Sequence, residues 1–246
     1  MKQWLLSIGL LFMLSLAQAQ EASSWLVIGE IDVFHQNLPL NLQNKLRTIQ
    51  QRGNARLQAG AFGPIGGSWV LSYYSGELGG WASHNHSWED FPRACIDKIA
   101  QIQKDNSLIR HIWADDRAWL VLYDGSDLVQ SGLPAELLNQ YAQAYRNQEK
   151  ILDIALVPMV DDAWILLTDK QVLYRNIPFE LLDQIKGLQA EKAVFQQIVF
   201  EPSGKGWFIL YNGNQFMGLN LPNGMEQAFD RLRETNQKAL RVIWGR

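Results

Sequence analysis

The chain has a single cysteine, Cys95, among its 246 residues. An internal disulfide is therefore excluded, and stability must come from packing even in an oxidising compartment. Basic character is also scarce: 22 Lys and Arg stand against 25 Asp and Glu, with no basic block. Nucleic acid and anionic membrane surfaces are poor partners for such a chain. No apolar run reaches the ~20 residues that cross a bilayer comfortably as a helix. No Pro/Gly/Ser-rich linker or low-complexity tract divides the chain either, so it reads as one domain with enough length to bury a sizeable core.

The longest apolar run, from Leu5 to Leu16, follows Lys2 and precedes Ala17-Gln18-Ala19. A positive start, a short apolar core and a small-x-small site make up an export signal. The expectation is a signal peptide at 1–19, a single domain at 20–246, no integral membrane segment in the mature chain, and a periplasmic or secreted location. No cysteine lies near the cleavage point to take a lipid.

What the chain does have is a repeat. Trp25, Trp69, Trp119, Trp164 and Trp207 recur at spacings of 44, 50, 45 and 43 residues. Each is followed by a proline, Pro39, Pro92, Pro134, Pro178 or Pro222, at offsets of 14, 23, 15, 14 and 15. A fixed internal period marks one structural unit copied five times.

Within a unit the tryptophan opens a continuously apolar stretch, as in Trp119-Leu120-Val121-Leu122-Tyr123 and Trp207-Phe208-Ile209-Leu210-Tyr211. Continuous rather than alternating hydrophobicity predicts a strand covered on both faces. Turn residues follow, Asp124-Gly125, Thr168-Asp169 and Asn212-Gly213, and then a second strand, so the pair reads as a hairpin. The proline begins a helix, where its missing N–H costs little. Three, seven and ten residues beyond it lies an apolar face, for example Leu42, Leu46 and Ile49, or Leu181, Ile185 and Leu188. A short strand such as Ile154-Ala155-Leu156 leads into the next tryptophan strand.

The first copy lacks that leading strand, and the chain ends in an extra one, Leu240-Arg241-Val242-Ile243-Trp244. The last strand therefore completes the first unit. The predicted fold is a closed five-bladed α/β propeller-like toroid of strand-strand-strand-helix modules, which leaves fewer edges to cap than the alternative, an open solenoid.

The unit resembles one found in bacterial exported repeat proteins of unassigned function. The residues that carry the likeness are Gly67-Ser68-Trp69, Gly206-Trp207, Asn176-Ile177-Pro178 and Asn220-Leu221-Pro222. It covers essentially the whole mature chain and implies no activity. A five-fold ring of α/β modules also resembles the pentein architecture of amidino-group enzymes, which use a cysteine nucleophile with a histidine and carboxylates. That likeness implies topology, not chemistry.

Against the repeat, most reactive residues fall into structural slots. Cys95 occupies the helix position held elsewhere by Leu42, Leu137, Leu181 and Met225, so it reads as a small buried hydrophobe. His111 aligns with Ile154, Ile198 and Val242 in the leading strand and reads as a packed ring, whereas His35 falls at a variable, exposed position. Asp115-Asp116 and Asp161-Asp162 sit in corresponding turns and read as turn formers, since a calcium loop needs a longer ordered set of ligands.

The second copy breaks the pattern with eight or nine extra residues before its proline. This insertion holds Trp81, His84, His86, Trp88, Glu89 and Asp90, including the two tryptophans that the repeat does not otherwise account for. Aromatics, histidines and carboxylates in one loop offer stacking surfaces, metal-ligand types and acid–base groups. A His-x-His pair alone is too little to imply a bound metal, and no cofactor or catalytic set is expected. The expected function is an exported binding or scaffold protein that recognises a protein, peptide or carbohydrate ligand through these six residues. The rival is a hydrolase or amidino-group enzyme using His84, His86, Glu89 or Asp90.

Overall fold

The computed structural model describes residues 23–51, 55–64, 67–75, 80–83, 91–105 and 107–245. The signal peptide expected at 1–19 lies outside them. The chain forms five three-stranded antiparallel sheets, each followed by a helix. The elements begin with β1 (Ser24–Gly29), β2 (Val33–Gln36) and α1 (Leu40–Gln51). The second unit is β3 (Ala55–Phe62), β4 (Trp69–Ser75), β5 (Gly80–Ser83) and α2 (Arg93–Lys104). The third is β6 (Ile109–Ala114), β7 (Trp119–Tyr123), β8 (Asp127–Ser131) and α3 (Ala135–Arg146). The fourth is β9 (Ile151–Leu156), β10 (Trp164–Thr168), β11 (Val172–Arg175) and α4 (Phe179–Ala190). The last is β12 (Phe195–Phe200), β13 (Trp207–Tyr211), β14 (Gln215–Leu219) and α5 (Met225–Glu234), after which β15 (Ala239–Gly245) ends the chain.

In each sheet the tryptophan strand is central, between its leading strand and its hairpin partner. That position explains the continuous apolar run: β10 is buried at all five residues, whereas β14 at the sheet edge is exposed or half-buried throughout. The final strand completes the first sheet, pairing with β1 so that Trp25 lies opposite Trp244 and Val27 opposite Val242. None of the described sheets closes on itself.

The helix faces follow the apolar spacing. Leu42, Leu46 and Ile49 are buried on α1, Cys95, Ile99 and Ile102 on α2, and Leu181, Ile185 and Leu188 on α4. One detail differs from the sequence reading. Pro92, Pro134 and Pro178 are N-caps with extended ψ of 114° to 141°, so the helix begins one residue later; α5 begins three residues after Pro222, behind Gly224. The proline carbonyl, rather than the ring's place in the first turn, serves the helix: it accepts the first bond from Leu138 and Leu182. Two residues before four of the prolines, Asn37, Gly132, Asn176 and Asn220 adopt positive φ of 49° to 78°, the left-handed turn for which Asn and Gly suit best.

Each helix packs between its own sheet and the next one. The α1 face meets Leu26 and Ile28 of β1 together with Trp69 and Leu71 of β4. The α4 face meets Ile165 and Leu167 of β10 together with Trp207 and Ile209 of β13. The same rule carries α5 from Phe208 and Leu210 of β13 to Trp25 and Val27 of β1. The repeated tryptophan is thus the residue that docks a sheet on the preceding unit's helix. Two of the indoles also donate at the start of that helix: Trp69 Nε1 to Asn41 Oδ1 at 3.2 Å, and Trp25 Nε1 to the Asn223 carbonyl at 3.2 Å.

Candidate functional site

The leading strands share an irregularity that positions a polar cluster. In all five sheets the ladder between leading strand and tryptophan strand slips by one residue, passing over Gln58, Arg110, Leu152, Gln196 or Leu240. A β-bulge repeated at one place re-aims the next side chain in the same way each time. The residues after the bulge are Ala59, His111, Asp153, Gln197 and Arg241. No two belong to the same chemical type.

Three of them reach the backbone of the following leading strand. Asp153 Oδ2 accepts from the Ile198 amide at 3.1 Å. Gln197 clamps Val242 from both sides, donating from Nε2 to its carbonyl at 3.0 Å and accepting its amide at Oε1 at 2.8 Å. The Ile154 backbone lies close enough to His111 to favour its protonated form. Arg241 turns instead to Asp153 Oδ1 at 3.1 Å and to the Leu152 carbonyl at 3.3 Å, while His111 Nδ1 lies 3.3 Å from the same Asp153 oxygen. Ala59 has no polar group to offer, so the chain of clamps is interrupted at β3.

Burial sets the electrostatics here. It strips water from the imidazolium of His111 and, with Arg241 and Arg110 adding repulsion, pulls its pKa to about 4 despite the Asp153 carboxylate. His111 is therefore a neutral imidazole at physiological pH. The nitrogen facing the carboxylate, Nδ1, carries the proton, and Nε2 keeps its lone pair. Nε2 is buried without a hydrogen-bond partner. Arg110 is also shifted down, first by burial and then by Arg241, and it donates to the Gly125 and Ile151 carbonyls at 2.6 and 3.1 Å.

Above this layer lies a cavity of about 450 Å³, lined by residues of all five leading strands. Arg110, His111, Gln197 and Arg241 belong to its polar lining, and Trp113 and Val199 to its apolar lining. Its mouth is formed by the turns that follow the leading strands, including Pro64, Arg117, Met159 and Pro202. Arg117 ties two of these turns together, reaching Asp115 Oδ2 at 3.3 Å and Asp161 Oδ1 at 2.7 Å. Asp115 is a turn former as its sequence position suggests, accepting the amides of Arg117 and Ala118 at 2.8 and 2.7 Å. The volume falls within the ~300–1,000 Å³ of small-molecule pockets, which combine apolar walls with a few placed polar groups.

The structure changes the reading of His111. It stands level with Asp153, Gln197 and Arg241, and its neighbour Ile112 takes the place beside Ile154, Ile198 and Val242. Trp113 shifts likewise, since Ala114 is the residue opposite Trp119, where Phe62, Phe200 and Trp244 oppose their own tryptophans. Matching the aromatic Trp113 to Phe62, Phe200 and Trp244 misplaces both residues by one, because in this copy Ala114 holds the aromatic slot. The polar set was therefore missed, although a polar residue two places before a small or apolar one recurs in four of the leading strands.

Cys95 is fully buried on α2, and burial pushes its thiol up to about 12, so it is no nucleophile. His35 sits exposed on β2. Of the insertion, Trp81 falls in β5, level with Tyr74 of β4; His84, His86, Trp88, Glu89 and Asp90 lie outside the described residues. No helix among the described residues is long and apolar enough to cross a membrane. No known protein family, curated protein or solved structure matches the chain.

Proposed function

We propose that this chain is an exported binding protein, built as a closed five-module toroid, that holds a small ligand in the cavity on its axis. Ring closure is supported by β15 completing the first sheet and by α5 packing the fifth sheet onto the first. One observation carries the binding reading: a cavity lined by all five leading strands, at the level where repeat-equivalent residues have become His111, Asp153, Gln197 and Arg241. A scaffold alone gives no reason for equivalent positions to differ so widely, whereas a ligand site does. The charge balance and the export signal favour a ligand of the periplasm or the extracellular space over nucleic acid.

The second-repeat insertion remains a rival contact surface for a protein, peptide or carbohydrate, on the strength of its extra aromatics. A thermal-shift screen of a diverse small-molecule library separates the two sites. Ligands that raise Tm of the native mature chain but not of Val199→Trp, which fills the axial cavity, support the axial site. Equal shifts in both, abolished by Trp81→Ala with Trp88→Ala, would move the site to the insertion.

A further inference from the structure

The axial polar cluster is almost fully committed, and its one exception points to a ligand class. Gln197 spends both ends of its amide on Val242. Asp153 is engaged by Ile198 and Arg241, and Arg241 by Asp153 and Leu152. Nε2 of His111 is left, among these described side chains, as a buried acceptor without a partner; of the other cavity-lining residues, Trp244 keeps a buried indole N–H without one, which a ligand hydroxyl oxygen can also meet. A buried acceptor in that state is unfavourable, and native proteins seldom leave one unfilled without a use for it.

Charge narrows the choice further. The arginines around the cavity, Arg110, Arg117 and Arg241, are matched by Asp115, Asp116 and the underlying Asp153. Arg241 is already paired with Asp153, and Arg117 with Asp115 and Asp161. An anionic or cationic ligand would lose its hydration and find no excess of opposite charge. Trp113, Ile112 and Val199 offer apolar surface instead.

We propose that the axial cavity selects an uncharged, largely apolar small molecule bearing one hydroxyl or N–H group, which donates to Nε2 of His111. The inference rests on the axial reading above. Asp153 is a positioning residue: by facing Nδ1 it holds the tautomer that makes Nε2 an acceptor.

Three probes of similar shape test this on the mature chain by calorimetry: 2-naphthol, 2-methoxynaphthalene and 2-naphthoate. The hydroxyl compound is expected to bind about tenfold more tightly than the methyl ether, since only it can complete the missing bond, and the carboxylate more weakly still. His111→Phe is expected to erase the preference between the first two. Should that variant not fold, nitrogen NMR of the native chain decides, because 2-naphthol must move the Nε2 resonance of His111 and the ether must not. Equal binding of alcohol and ether, tightest binding of the carboxylate, or an unmoved Nε2 resonance (a site that holds water only) would overturn the selection by His111 while leaving the axial cavity standing. Failure of all three probes to bind, or binding unaffected by Val199→Trp, would overturn the axial reading itself.

Discussion

The inner faces of the five helices and the residues after the five bulges are both copied once per repeat, yet they have diverged in opposite ways. On the helices the copies stay interchangeable: Leu42, Cys95, Leu137, Leu181 and Met225 all fill one slot and are all fully buried. After the bulges the copies are Ala59, His111, Asp153, Gln197 and Arg241, five different chemistries. The first set has one task, to seat a helix between two sheets, and any apolar side chain of fitting volume performs it. The second set lies along one shared cavity, which four of the five line directly, so packing alone does not require its members to be alike.

Breaking the packing layer is expected to have the largest effect. Trp164→Ala removes the indole that docks the fourth sheet on α3 and should cost about 3–5 kcal/mol in urea unfolding. Asp153→Asn acts in the polar cluster by leaving Arg241 buried without its counter-charge; a loss of about 2–3 kcal/mol is expected, and a neutral result would mean that this network has little structural weight. Both substitutions test whether the uniform layer holds the fold while the varied layer mainly shapes the site.

A smaller and more specific signature comes from His111. Its folded pKa of about 4 lies below the ordinary 6.5, so the unfolded chain binds the proton more readily between those values. Stability contributed by keeping it neutral is complete above pH 6.5 and is lost as pH falls toward 4, by on the order of 2–3 kcal/mol. Subtracting the pH profile of His111→Gln isolates this contribution from the carboxylates that titrate nearby; parallel profiles would show that His111 is not held neutral. The smallest effect is expected at Gly132, whose φ is +78° and where a Cβ would meet the Arg117 carbonyl oxygen. Gly132→Ala should cost about 1–2 kcal/mol, and Gly132→Asn, the residue type found at the matching turns, should recover only the part due to positive φ, since its Cβ meets the same oxygen.

The contrast between the two layers also explains what could be read in advance. Tryptophan spacing, the apolar helix faces and the strand exchange at the ends were legible because each depends on a residue class repeated at a fixed interval. The polar set after the bulges was hidden by two local irregularities. A bulge residue such as Arg110 or Leu152 breaks the strand's alternation, and Trp113 offers a false match to Phe62, Phe200 and Trp244, which sets His111 beside Ile154 rather than Asp153. Divergence itself conceals such a site, because the more its copies specialise, the less they look like copies. The insertion drew attention for the opposite reason, as a visible break in length at Trp81, His84, His86, Trp88, Glu89 and Asp90.

The most direct measurement is a crystal structure of the mature chain grown with 2-naphthol. The expected result is one probe molecule between the five leading strands, its hydroxyl oxygen within hydrogen-bond distance of His111 Nε2 and its rings against Trp113 and Val199. A probe seated on the second-repeat insertion around Trp81, with the axis empty, would contradict the axial site.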